Sequence, residues 1–195
     1  MSRTQTWNIE IDTRERVPLV FPAHIATSRG LDPTTVALTS SRETLTYGDY
    51  RLSSHPTACV IERKGSIHEI CTNLTSPKRR PAFVLECQRL RAQCSHPILL
   101  FEGDPNSLLT QRGPQQQHPS YLLSLLLDLL FSYRITPLFL RSDSLPSRRA
   151  VGEVAALCLI RAAILQDALH KTESVPSPPS ATAVQSPSCE TPSSR

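Results

Sequence analysis

A short, unbroken apolar run, Pro97-Ile98-Leu99-Leu100-Phe101, joined by a second buried strand expected at Ile135 to Leu140, restricts the folds open to this chain more than any other feature. A strand with one solvated face alternates apolar and polar residues, whereas one that is apolar throughout is covered on both faces. Covering both faces requires helices on each side of the sheet, which is an α/β layer arrangement. Suitable helical segments are present. One runs from Gly65 through Ile67, Ile70 and Leu74, and a second from Ala82 to Cys94, after breaks at Pro77 and Pro81. The Leu-rich stretch Tyr121–Phe131 gives a third, and Arg148–His170 a long last one.

The remaining elements follow from shorter patterns. Trp7, Ile9 and Ile11 alternate with polar residues, a period of two that makes a first strand ending at Asp12. Pro18 to Ser28 has helical spacing closed by Gly30. Thr35–Thr39 and Thr44–Tyr47 are strand-like, and a strand opens at Gly48-Asp49 and runs through Leu52. The turn Ser53-Ser54-His55-Pro56-Thr57 then leads into the strand Ala58–Glu62. The expected order is β-α-β-β-β-α-α-β-α-β-α around a mixed sheet, with a Gln- and Pro-rich loop at Gln111–Pro119. Residues 1–170 form one domain in this reading. Residues 171–195 are mostly Pro, Ser and Thr without apolar periodicity, the composition of a disordered tail.

Composition narrows the partners. Net charge is +4, and only three of the 21 basic residues are lysine, a bias towards the planar fork that grips phosphates. The six cysteines form no CxxC pair, so reduced thiols are expected rather than a zinc site. Met1-Ser2-Arg3-Thr4 has no apolar h-region, so no secretory signal is expected. Tyr121–Phe131 contains Asp128 and is far shorter than the roughly twenty residues of a membrane span, so no membrane partner is expected.

The chemistry concentrates between Asp49 and Lys64. A short turn folds Glu62, near the end of one strand, back towards Asp49 at the start of the preceding one. Glu62 and Lys64 are two apart and share a face of their strand. Two carboxylates and an ammonium therefore meet at one sheet end. Phosphodiester hydrolysis calls for such a set: hard oxygen ligands for Mg²⁺, a positioned water and a cation facing the developing charge.

The run Ile11-Asp12-Thr13-Arg14-Glu15 places two further acids at a strand terminus. It is followed by Tyr47-Gly48-Asp49-Tyr50, by Val60-Ile61-Glu62-Arg63-Lys64 and by the apolar strand ending in Phe101-Glu102-Gly103. This succession resembles the XPF nuclease family over roughly residues 7–165. The resemblance implies an α/β, restriction-endonuclease-like three-layer sandwich with a central mixed sheet. It implies an endonuclease that cuts branched, flapped or forked DNA in repair or recombination, using Mg²⁺ or Mn²⁺. Carried over by residue, Asp12, Arg14 and Glu15 fall on the D-x-R-E motif and Asp49 on the G-D motif. Glu62, Arg63 and Lys64 form the E-R-K motif. Asp49 and Glu62 are the central metal ligands in this reading, and Asp12 is a further metal-side acid. Arg63 makes a structural or phosphate contact, and Lys64 is the catalytic cation.

There are two departures from the family pattern. The family continues E-R-K-x-x-x-D, and His68 stands where the acid is expected. Glu69 is adjacent, but one step along a helix turns a side chain by about 100°. Glu86 is a lesser candidate alongside His68. The tandem helix-hairpin-helix units of many members are also not expected here, since the residues after His170 read as a tail without glycine. Grip on DNA then falls to Lys78, Arg79 and Arg80, or to a second protomer. A homodimer is expected through the last helix, whose apolar residues from Val151 to Leu165 cover nearly its whole circumference. The alternative is a non-catalytic or weakly active DNA-binding subunit of the same fold. Either function places the protein with the DNA, in the cytoplasm of a prokaryotic or phage-infected cell or in a eukaryotic nucleus.

Overall fold

The computed structural model describes residues 6–29, 32–110, 112 and 117–173. Seven strands form one sheet in the order β2-β3-β1-β4-β5-β6-β7. They are β1 (Thr6–Asp12), β2 (His24–Arg29), β3 (Asp32–Glu43), β4 (Tyr50–Leu52), β5 (Cys59–Lys64), β6 (His96–Glu102) and β7 (Thr136–Leu140). The helices are α1 (Ile67–Thr75), α2 (Arg80–Gln93), α3 (Asn106–Thr110), α4 (Pro119–Tyr133) and α5 (Leu145–Glu173). β5, β6 and β7 run parallel, as do β1 and β3, while β4 is antiparallel to both its neighbours. The sheet is mixed, as the sequence predicts.

Two apolar cores, one on each face, complete a three-layer sandwich. On one face α5 packs over Ile9, Ile11, Ile61, Ile98 and Leu100. On the other, residues of α1, α2, α3 and α4 pack over Val60, Leu99 and Phe101. Alternate residues of β6 thus enter opposite cores, which is why its sequence is apolar without interruption. The fold is α/β and restriction-endonuclease-like.

Several expectations need correction. β7 is an edge strand with Thr136 and Pro137 exposed and Leu138, Phe139 and Leu140 half-buried, not the buried strand expected at Ile135–Leu140. Residues 18–23 are irregular and 24–29 form β2, so the expected helix over Pro18–Ser28 is absent. Pro18 and Pro22 withhold backbone donors there, and the segment instead covers a flank of α5. Leu19 and Phe21 join the α5 core, and Arg148 donates to the Pro18 carbonyl at 3.0 Å. β3 is one long strand, and Thr44–Tyr47 is a bend rather than a second strand. Finally, the chain itself hides more of the apolar circumference of α5 than one face against the sheet would. Val151, Ala155, Leu159, Ile160, Ala162 and Ala163 are buried, Val154, Leu157, Cys158 and Ile164 half-buried, and only Leu165 of that set is exposed.

Gly152 explains the close fit on the flank of α5. A Cβ there would lie 2.2 Å from the Val20 carbonyl oxygen. α5 also continues through Glu173, so residues 171–173 belong to it. The rest of the expected tail, Gly30, and residues 111 and 113–116 of the Gln- and Pro-rich loop lie outside the described residues.

Candidate active site

The hairpin β4–β5 builds the centre of the site. Tyr50 faces Ile61 and Arg51 faces Val60, and Asp49, just before this pairing, lines one cavity with Glu62. The Asp49 backbone is pinned on both sides. Its N–H donates to the Ile61 carbonyl at 2.8 Å, and its carbonyl accepts from Asp12 N–H at 2.9 Å. Its side-chain Oδ2 accepts from Arg63 N–H at 2.7 Å, which fixes the carboxylate at the strand edge. Gly48 makes the entry possible. Its φ is +70°, and a Cβ would stand 2.1 Å from Val60 Cγ1.

The Glu-Arg-Lys triplet divides between the faces of the sheet, as a period of two requires. Glu62 and Lys64 enter a cavity of about 550 Å³ between the hairpin, α1 and α2. Lys64 Nζ lies 2.6 Å from Glu62 Oε1. It also lies 3.0 and 2.9 Å from the two carboxylate oxygens of Glu86, and 5.4 Å from the centre of the Phe83 ring. Arg63 points to the other face. Its Nη1 donates to Glu15 Oε2 at 2.9 Å and to the Val17 carbonyl at 2.8 Å, and its Nε donates to Glu102 at 2.5 Å. The Tyr50 hydroxyl donates to the same Glu15 oxygen at 3.0 Å.

The cavity therefore takes in Arg14, Asp49, Glu62, Lys64, Glu86, Lys78 and Arg79 from the residues named in the sequence. It leaves out Asp12, Glu15, Arg63, His68 and Arg80. Asp12 is fully buried, and Arg14 closes on both its carboxylate oxygens. That grip lowers the Asp12 pKa below the ordinary value and presents the Arg14 guanidinium at the cavity rim. Glu15 and Arg63 form the brace behind the site.

Sequence reasoning set Glu69 aside and did not bring Asn73 or Arg89 to the site, and all three line the cavity. With Ile67, Ile70, Cys71 and Leu74 buried, Glu69 and Asn73 share the flank of α1 that faces the cavity, while His68 lies exposed on the opposite flank. The rotation of about 100° that separates Glu69 from His68 is what carries Glu69 to the inward flank. Glu69 Oε2 accepts Gly65 N–H at 3.0 Å. Its pairing with the Ser66 N-cap in a capping box was the available signal.

The electrostatics are those of acids short of countercharge. Burial, reinforced by the nearby carboxylates of Glu15 and Glu86, pushes the Asp49 pKa up to about 6. Burial also holds Glu62 well above the ordinary carboxylate range, with Asp49 and Glu86 adding to the effect. Burial disfavours the charged form of Lys64, but Glu62 and Glu86 outweigh it and raise its pKa. Among the described residues, no three His, Cys, Asp or Glu side chains stand close enough to hold a metal by themselves. A hard cation needs fewer, since Mg²⁺ is commonly held by one or two carboxylates plus water and phosphate oxygens. Asp49 and Glu62 fit that requirement as oxygen donors whose buried charges a cation would relieve.

The ERCC4 domain model matches residues 11–148, from the end of β1 to the start of α5. The chain belongs to the ERCC4 domain family. The matched span contains every catalytic candidate above. A structure of XPF from Aeropyrum pernix in complex with DNA is similar at 16% identity, with a TM-score of 0.52. The alignment covers 84% of this chain and 66% of that one, so the chain spans just under two thirds of its relative. XPF from Aeropyrum pernix is also similar at 13% identity and a TM-score of 0.49, covering 85% of this chain and 73% of that one. At 16% identity the first of these likenesses is one of fold, and this ERCC4 domain shares the fold of XPF from Aeropyrum pernix. No curated protein matches the sequence. No helix among the described residues is long and apolar enough to cross a membrane.

Proposed function

We propose that this ERCC4 domain is a divalent-metal-dependent endonuclease that hydrolyses phosphodiester bonds in branched, flapped or forked DNA during repair or recombination. The observation that carries the reading is the convergence of Asp49, Glu62 and Lys64 on one cavity. That cavity is rimmed by Arg14, Lys78, Arg79 and Arg89. Mg²⁺, or Mn²⁺ in its place, held by Asp49 and Glu62, would polarise a phosphoryl oxygen and lower the pKa of a bound water. The chain's own groups do the rest. The Arg63 N–H fixes the Asp49 carboxylate, so that ligand is oriented before substrate arrives. The Lys64 ammonium donates hydrogen bonds towards the attacking water and the phosphate as negative charge builds there. Arg14, Lys78, Arg79 and Arg89 meet backbone phosphates on either side of the scissile bond, and Arg80 extends that basic edge.

The active unit in this reading is a homodimer. The exposed Leu165 on α5, 48% accessible, supports apolar pairing through the last helix. Light scattering at micromolar concentration tests this, and a strict monomer refutes it. The compartment is the one that holds the DNA. Labelled duplex, flap, fork and four-way junction incubated with Mg²⁺ or Mn²⁺ test the activity. Cleavage of branched substrates supports the proposal. Tight binding without cleavage of any substrate would instead favour a non-catalytic DNA-binding subunit.

A further inference from the structure

We propose that Glu86 is the positioning residue for Lys64, holding its ammonium at the cavity wall when the Glu62 carboxylate is engaged elsewhere. The contacts of Nζ carry the argument. An ammonium has three donors, and here it meets one oxygen of Glu62 and both oxygens of Glu86. Glu62 gives Lys64 one oxygen, and a cation drawn to that carboxylate would compete with the ammonium for it. A cation seated there would take the shortest contact of the ammonium, 2.6 Å, and also repel it. Without a second anchor, Nζ would leave the cavity. α2 supplies that anchor. Phe83 and Glu86 are three residues apart on one face of the helix, and both address Nζ, one through its ring and the other through its carboxylate. Glu86 is also more accessible than Glu62, with 31% of its side chain exposed against 10%, so it approaches from the open side of the cavity. Lys64 is thus gripped from two elements, and only one of those grips competes with cation binding.

The catalytic consequence rests on the nuclease reading, whereas the positioning itself does not. The test therefore has two arms. In the first, amines are acetylated with an N-hydroxysuccinimide ester and Lys64 is quantified by mass spectrometry, with exposed Lys78 as internal reference. Glu62→Gln, which mimics a Glu62 already engaged, should leave Lys64 as protected as in wild type. Glu62→Gln combined with Glu86→Gln should raise its labelling about tenfold, the factor one charge-assisted hydrogen bond supplies. If Glu62→Gln alone exposes Lys64 as fully as the double variant, Glu86 is not the anchor.

The second arm uses single variants and keeps the proposal falsifiable should the double variant not fold. Glu86→Gln should lower kcat about 100-fold through a displaced ammonium, with KM for DNA little changed, and Glu86→Asp should recover much of the loss. A Glu86→Gln protein with wild-type kcat, or a loss confined to KM, overturns the proposal. If the wild-type protein cleaves nothing, the nuclease reading fails and the labelling arm still decides the role of Glu86.

Discussion

Replacing Asp49 by Asn should make the metal-free protein more stable while removing its activity. The Asp49 carboxyl is pushed from 3.8 to about 6, by burial first and by neighbouring carboxylates second. A proton affinity raised by roughly two powers of ten, at about 1.4 kcal/mol each, sets a ceiling near 3 kcal/mol on the cost of ionising this group in the fold. Part of that cost is shared with Glu62 and Glu86. Asn keeps an oxygen for the Arg63 N–H, so the gain above pH 7 should be about 1–2 kcal/mol, or about 3–6 °C in Tm for a chain of this length.

The sign follows from linkage. A carboxyl whose folded pKa lies above its unfolded pKa favours the fold fully only below pH 3.8, and that advantage is lost as pH rises through 6. Melting both proteins in EDTA across pH 4–8 should therefore show a gap that is widest near pH 7.5 and closes towards pH 4. Added Mg²⁺ should narrow the gap from the other side, because a cation that binds only the folded wild type stabilises it by mass action. An Asn variant no more stable than wild type at pH 7.5, or a gap independent of pH, would refute the electrostatic reasoning.

Other predictions follow from single contacts. Gly48→Ala places a Cβ against Val60 at a backbone φ of +70° and should cost about 2–4 kcal/mol in urea denaturation; a neutral change would mean that the turn relaxes freely. Arg63→Ala leaves Glu15 and Glu102 unpaired in a half-buried brace and should cost about 3–5 kcal/mol; a loss under 1 kcal/mol would show the network to be solvent-screened. His68→Asp restores the family's residue type but on the flank of α1 away from the cavity, so the cleavage rate should stay within about twofold. A large rise would show that α1 turns when DNA binds.

What the sequence made legible was local or periodic. The alternation of Trp7, Ile9 and Ile11 gave β1, the unbroken run at 97–101 gave a strand between two helix layers, and the spacing of Glu62 and Lys64 gave their shared face. The short turn brought Asp49 to Glu62 because a hairpin leaves little choice of register. What stayed hidden depended on partners distant in sequence. The grip of Glu86 on Lys64 joins α2 to β5, and Arg63 reaches Glu15 and Glu102 across two strand ends. The apolar surplus of α5 suggested an interface, but the irregular segment 17–22 already covers part of it. Helical spacing in 18–28 misled for the same reason, since Leu19, Phe21 and Ile25 are buried by that packing and by β2 rather than by one helix face.

Single-turnover cleavage of a labelled flap or fork in Mg²⁺, read beside DNA binding in the same buffer, tests the central claim most directly when wild type is compared with Asp49→Asn and Glu62→Gln. The account predicts that wild type cuts, that each variant loses about 100-fold or more in rate, and that both still bind DNA with near wild-type affinity. Either variant cutting at the wild-type rate would contradict it.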